Sequence, residues 1–272
     1  MRTMLEMLIV LIYLLALLTG ILIGSISMPL VMSRNIMFSL TLLHSILGGS
    51  VLGVYLNTIF NLSLPIPLVA TLTAIVLSIL TAELVERGFP EDTATAFSVA
   101  LATTITIISS FYASSISSTA LAEAWSYVMG ASSLATLEDL MKVLIVLILT
   151  IPTVHFFWKE FKYIAFDSEG AEALGLNVRF YRYLFYSLAA LISAVLSSTV
   201  GVLVAHVVLA VPGAFAVRIS RKNPVLFSYI ISVFLMISGY ILARILNLPP
   251  SGGVGIVSTI LVLSLVTLRE YG

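Results

Sequence analysis

The chain has 272 residues, 60% of them hydrophobic and 10% charged, and a mean hydropathy of +1.15. A soluble domain carries about 25% charged residues, so this composition excludes a soluble globule and puts the chain in a membrane. Lys plus Arg equals Asp plus Glu at 13 each, which gives no basis for nucleic-acid binding, and the absence of cysteine excludes disulfides, thiolate metal sites and cysteine nucleophiles.

The predicted architecture is all-α, a single polytopic transmembrane bundle over 1–272 with about eight to nine spans. Nothing is charged between Glu6 and Arg34, and with no small-residue cleavage site before a polar domain this run reads as a retained first span. Gly20, Gly24 and Ser25 give it a small-residue face suited to helix packing. A second span runs from Ile36 to Tyr55, an uncharged loop from Asn57 to Pro67, and a third span from Leu68 to Leu84. Glu83, Glu86 and Arg87 close the third, and Pro90 with Glu91 and Asp92 opens a fourth from Ala94 to Phe111. A Ser- and Ala-rich section, Tyr112 to Leu137, then precedes the fifth span, where Pro152 predicts a kink and HFFWKEFK an interfacial exit.

The longest polar interval, FDSEGAEALGLNV at Phe166 to Val178, lies between Lys159 and Lys162 upstream and Arg179 and Arg182 downstream. The positive-inside rule makes this loop cytoplasmic, and every other loop is counted outward from it. Tyr183 to Val217 is uncharged and longer than one crossing needs, with a break predicted at Ser197 to Gly201 before the basic patch Arg218, Arg221 and Lys222. Two final spans, Pro224 to Leu246 and Gly253 to Leu268, are joined by LPPSGG. The resulting topology has the amino terminus outside and the carboxyl terminus in the cytoplasm of a cell that carries the chain in its plasma membrane.

Few side chains can carry chemistry. His44 lies mid-span in LTLLHSILGGSVLG and His206 in VLVAHVVLA, where an imidazole either lines a permeation path or bonds a neighbouring helix. His155, beside Trp158, reads as an interfacial anchor. MGAS, Met129 to Ser132, contains a Gly-x-Ser short enough to arise by chance, so an intramembrane serine protease has thin support. There is no His-Glu-x-x-His and no phosphate-cradling Gly-x-x-x-x-Gly-Lys-Ser/Thr, so any ATPase driving the chain is a separate subunit.

Six landmarks in order, RNIMFSLTLLHSILGGSVLG, PEDTATAFS, MGASSLATLEDL, FDSEGAEALGLNV, VGVLVAHVVLAVPGAFAVRIS and LPPSGGVGIV, resemble the membrane permeases of manganese, zinc and iron ABC importers. The second half also resembles the wider group of iron-siderophore and cobalamin permeases. The resemblance implies a type II importer fold and a non-enzymatic homodimer that binds no cofactor of its own. It further implies a cytoplasmic ATP-binding cassette ATPase that uses ATP, and an extracytoplasmic binding protein that delivers a divalent metal. It makes Pro212 to Pro224 the segment of short coupling helices, with Pro212, Gly213, Arg218, Arg221 and Lys222 at the ATPase. His44 becomes the metal residue and His206 a second path candidate. The family's Asp four residues before the histidine is Leu40 here, which cannot ligate a cation, so two copies of the chain would have to bring two neutral imidazoles together. The alternatives are a metal-chelate or cobalamin-like cargo, and an ATP-independent secondary transporter or channel. Matching broken helices in both halves would mark a secondary transporter, and only one break is found.

Overall fold

The structure is a computed structural model that describes residues 2–33, 36–116, 119, 122, 136–220 and 222–268. Its helices are α1 (Arg2–Met32), α2 (Phe38–Phe60), α3 (Ile66–Glu86), α4 (Glu91–Ile116), α5 (Leu137–Phe156), α6 (Trp158–Phe166), α7 (Ser168–Ala173), α8 (Val178–Thr199), α9 (Val202–Ile219), α10 (Pro224–Leu246) and α11 (Pro250–Leu268). Among the described residues there is no strand.

Local chemistry sets most helix ends. Pro65 precedes α3 and Pro224 opens α10, where a missing N–H costs nothing. Thr136 and Asp139 form a reciprocal capping box at α5, the Thr136 hydroxyl accepting from the Asp139 N–H at 3.1 Å. Asn61 and Asn247 end α2 and α10 in the left-handed region, which asparagine tolerates better than most residues.

Six helices, α1 to α4, α8 and α10, are long and apolar enough to cross a membrane, and α5 with α6 makes a seventh, bent by 63°. The predicted eight to nine spans exceed this count by α9 and α11, whose apolar stretches among the described residues, Val204–Ile219 and Pro250–Ser264, are shorter.

The fifth span has a sharp bend beyond Pro152. α5 runs helically through Pro152, whose ring is exposed, and the turn comes at Phe157. There Phe157 packs edge-on to Phe156, Phe161 and Tyr181, so an aromatic cluster holds the corner. The predicted break between spans six and seven is found: α8 ends at Thr199 and α9 restarts at Val202, with Gly201 at φ 95°.

The core is where α1, α2, α8, α9 and α10 converge, with Leu22, Ile26, Phe38, Ile192, Leu209 and Leu235 fully buried. α1 meets α10 through the small face read from the sequence. A Cβ on Gly24 would stand 2.7 Å from the Tyr229 Cα, so backbone contact this close requires glycine.

Candidate functional site

α2 is the most enclosed of the spans, packed by α3, α4, α8 and α9. Its amino-terminal half carries one half-open stripe, Leu40, Leu43, His44 and Leu47, spaced as neighbours on one helical face. His44 Nδ1 lies 2.8 Å from the Leu40 carbonyl. A carbonyl only accepts, so Nδ1 donates to it, and Nε2 is the ring nitrogen left over. Nε2 has no hydrogen-bond partner among the described residues, which leaves it able to ligate. The family aspartate's position is thus filled by a Leu40 side chain on the same stripe, while the Leu40 backbone fixes the imidazole tautomer.

α9 packs against α2 and has its own half-buried stripe with His206, Val207, Ala210 and Ala214. The two histidines therefore ride on adjoining helices. Among the described residues no group of three or more His, Asp or Glu side chains could hold a metal ion within one chain. His155 is exposed at the end of α5, beside the aromatic corner. The MGAS segment, 129–132, lies outside the described residues, as does Arg221.

The segment expected to fold as separate short helices instead continues α9 unbroken to Ile219. Pro212 removes the N–H that would bond the preceding turn, and the next N–H, on Gly213, donates to Ser27 Oγ of α1 at 2.7 Å. A Cβ on Gly213 would stand 2.5 Å from the Ser27 carbonyl oxygen. Pro212 and Gly213 are buried in this crossing, whereas Arg218 and Lys222 are exposed beyond it. The Pro-Gly pair thus anchors the helix that carries the basic end.

A polar cluster at the same end of α3 and α8 was not foreseen. Glu83 accepts from Arg179 at 2.8 Å and from Arg87 at 2.8 Å, and Tyr183 donates to it as well. Arg182 pairs with Glu86, both side chains largely shielded. These contacts join the two charged knots that the charge rule places on one side, although they lie 96 residues apart. Opposite formal charge on the two knots was the one available signal. Below them Asp167 caps α7 by accepting from the Gly170 N–H at 2.8 Å, and Asn177 caps α8 by accepting from the Phe180 N–H at 3.0 Å.

With this geometry in hand, the relatives are informative. A manganese transport system membrane protein, MntC, of Listeria innocua is 32% identical over 126 residues, 46% of this chain and 45% of that protein. The matched part is thus less than half of that relative's length. A high-affinity zinc uptake system membrane protein, ZnuB, of Haemophilus influenzae is 27% identical over 261 residues, covering 94% of this chain and 97% of that protein. In three dimensions the chain shares its fold with PsaBC from Streptococcus pneumoniae, solved in complex with Fab. The TM-score is 0.73 at 21% identity over 93% of this chain and 88% of that one. Residues 4–269 match one family from end to end, and the chain belongs to the ABC 3 transport family.

Proposed function

We propose that the chain is the permease subunit of an ABC importer for divalent metal ions such as manganese, zinc or iron. It works as a homodimer with a separate ATPase and an extracytoplasmic binding protein. The observation that carries this reading is His44, an imidazole in the amino-terminal half of an apolar span with Nε2 unengaged among the described residues, in a chain of the ABC 3 transport family. Two copies juxtaposed along the half-open stripes of α2 would double the donors that one chain supplies, with His206 as the next donor along the path.

In this reading α9 and α11 also cross, which brings the count to nine, with the amino terminus outside, the carboxyl terminus in the cytoplasm and the membrane the plasma membrane. The α3–α8 ion pairs then lie at the cytoplasmic end. Arg218 and Lys222, with Arg221, face the ATPase, and Pro212 and Gly213 hold them in place. Cysteines at Arg218 and Lys222 are expected to crosslink to the co-expressed ATPase; labelling only by an impermeant reagent added from outside would overturn the orientation.

The direct test is uptake of radioactive manganese and zinc by cells lacking their own importers and expressing this chain with its ATPase and binding protein. His44→Leu is expected to lower uptake at least tenfold while ATPase association persists. Unchanged uptake would remove His44 from the path. One feature favours a chelated cargo: the apolar Leu40 beside His44 suits a ligand whose metal is already wrapped. Leu40→Asp separates the two, strengthening uptake of the free ion in the first case and weakening uptake of the chelate in the second.

A further inference from the structure

A cavity of about 190 Å³ opens where the ends of α1, α4, α6 and α8 meet. Its charged walls are Glu91 and Arg182, and its apolar walls include Phe161, Ile164, Phe166 and Phe185. Arg182 is already balanced by Glu86. Glu91 is only partly exposed, and among the described residues it has neither an ion pair nor a hydrogen bond. The Arg182 charge acts on Glu91 as well as on Glu86, so the three groups together are net negative, and the guanidinium, engaged with Glu86 through one nitrogen, keeps further N–H donors. A single carboxylate does not replace the hydration shell of a divalent cation, and the space is smaller than the ~300 Å³ at which pockets for drug-sized ligands begin.

One wall of the cavity, α6, has the residue pattern of a membrane interface. α6 turns 63° away from α5 and exposes Lys159, Lys162, Tyr163 and Phe166, the pattern of a short helix lying at head-group depth. A ligand here meets a carboxylate, a guanidinium and aromatic walls in a head-group-sized space. We infer that this cavity binds the head group of an ethanolamine phospholipid, the ammonium on Glu91, the phosphate on Arg182 and the glycerol end along Phe166. A primary ammonium donates three N–H bonds, whereas choline donates none, so the site selects ethanolamine over choline lipids. The inference stands independently of the transported cargo.

The full-length chain, purified in mild detergent, is reconstituted into nanodiscs and titrated by native mass spectrometry with phosphatidylethanolamine, phosphatidylcholine and soluble phosphoethanolamine. Phosphatidylethanolamine is expected to bind about tenfold more tightly than phosphatidylcholine, the size of one charge-assisted hydrogen bond to a carboxylate. Glu91→Gln is expected to bring that ratio close to one, and Glu169→Gln, on α7 outside the cavity, to leave it unchanged. Ile164→Trp fills the cavity with the carboxylate intact and is expected to abolish the preference as well, which keeps the test decisive if Glu91→Gln folds poorly. Equal binding of the two lipids by the wild type, or a preference that survives both cavity variants, overturns the site. Soluble phosphoethanolamine binding as tightly as the lipid overturns the membrane as its source.

Discussion

α2 and α4 are neighbouring spans of similar apolarity, yet 61% of the most apolar window of α2 is buried in the chain against 28% of that of α4. Both are rich in hydroxyl residues, and α2 differs in its glycines and its imidazole. α2 carries His44, Ser45, Gly48, Gly49, Ser50 and Gly53 along its middle, whereas the same depth of α4 exposes Leu101, Ile107, Ile108 and Phe111. In lipid, hydrophobicity cannot drive one helix against another, because the acyl chains are as apolar as leucine. What marks the central helix here is the close approach that glycine allows, together with a polar group too costly to leave facing hydrocarbon.

That contrast breaks most visibly at Gly49. A Cβ there would stand 2.7 Å from the Ala70 Cα of α3, so Gly49→Leu is expected to destabilise by about 3 kcal/mol or more. Loss of the monodisperse peak in size-exclusion chromatography would register it. A monodisperse Gly49→Leu protein would show that α2 is not held as tightly as drawn.

Arg182→Met extends the comparison to the α3–α8 end. This pair is shielded on both sides, with 15% and 20% side-chain exposure for Arg182 and Glu86. Its loss lies between the roughly 1 kcal/mol of an exposed pair and the ~3–5 kcal/mol of breaking a buried one, so about 2 kcal/mol is expected in thermal unfolding. Arg179→Met, with 59% of its side chain exposed, is expected to shift the midpoint less and to lose that shift in high salt.

The smallest effects belong to α4. Thr81 donates to Ser98 at 2.7 Å, the buried side-chain hydrogen bond between α3 and α4, and Ser98→Ala is expected to cost about 0.6 kcal/mol, the average for such bonds in membranes. Ile107→Ala, on a face 64% exposed at that residue, is expected within about 0.5 kcal/mol of wild type. A larger loss there would mean that this face is covered, and would point to α4 as a subunit interface.

The same asymmetry decides what could be read in advance. The break before Gly201 and the small face of α1 were legible because each is a local departure in a uniform background. His44 was legible for the same reason. Its tautomer was not, since that depends on a backbone oxygen one turn away. The 63° bend at Phe157 was not legible, because the aromatic packing that holds the corner involves Tyr181, remote in sequence. The Glu83–Arg179 and Glu86–Arg182 pairs escaped because no local pattern specifies a partner 96 residues away. Pro212 and Gly213 look like a loop in sequence and are buried because Ser27 supplies the hydrogen bond that Pro212 disrupts.

The Gly213–Ser27 bond also gives α9 the mechanics of a lever. One unbroken helix carries His206 on one side of that anchor and Arg218 on the other. At about 1.5 Å per residue the arms are roughly 10 Å and 8 Å long. A rod pinned near its middle returns a sideways push at one end as an opposite movement of similar size at the other. Force applied at the exposed basic tip would thus reach the half-buried imidazole as a tilt, with no change in the helix between them.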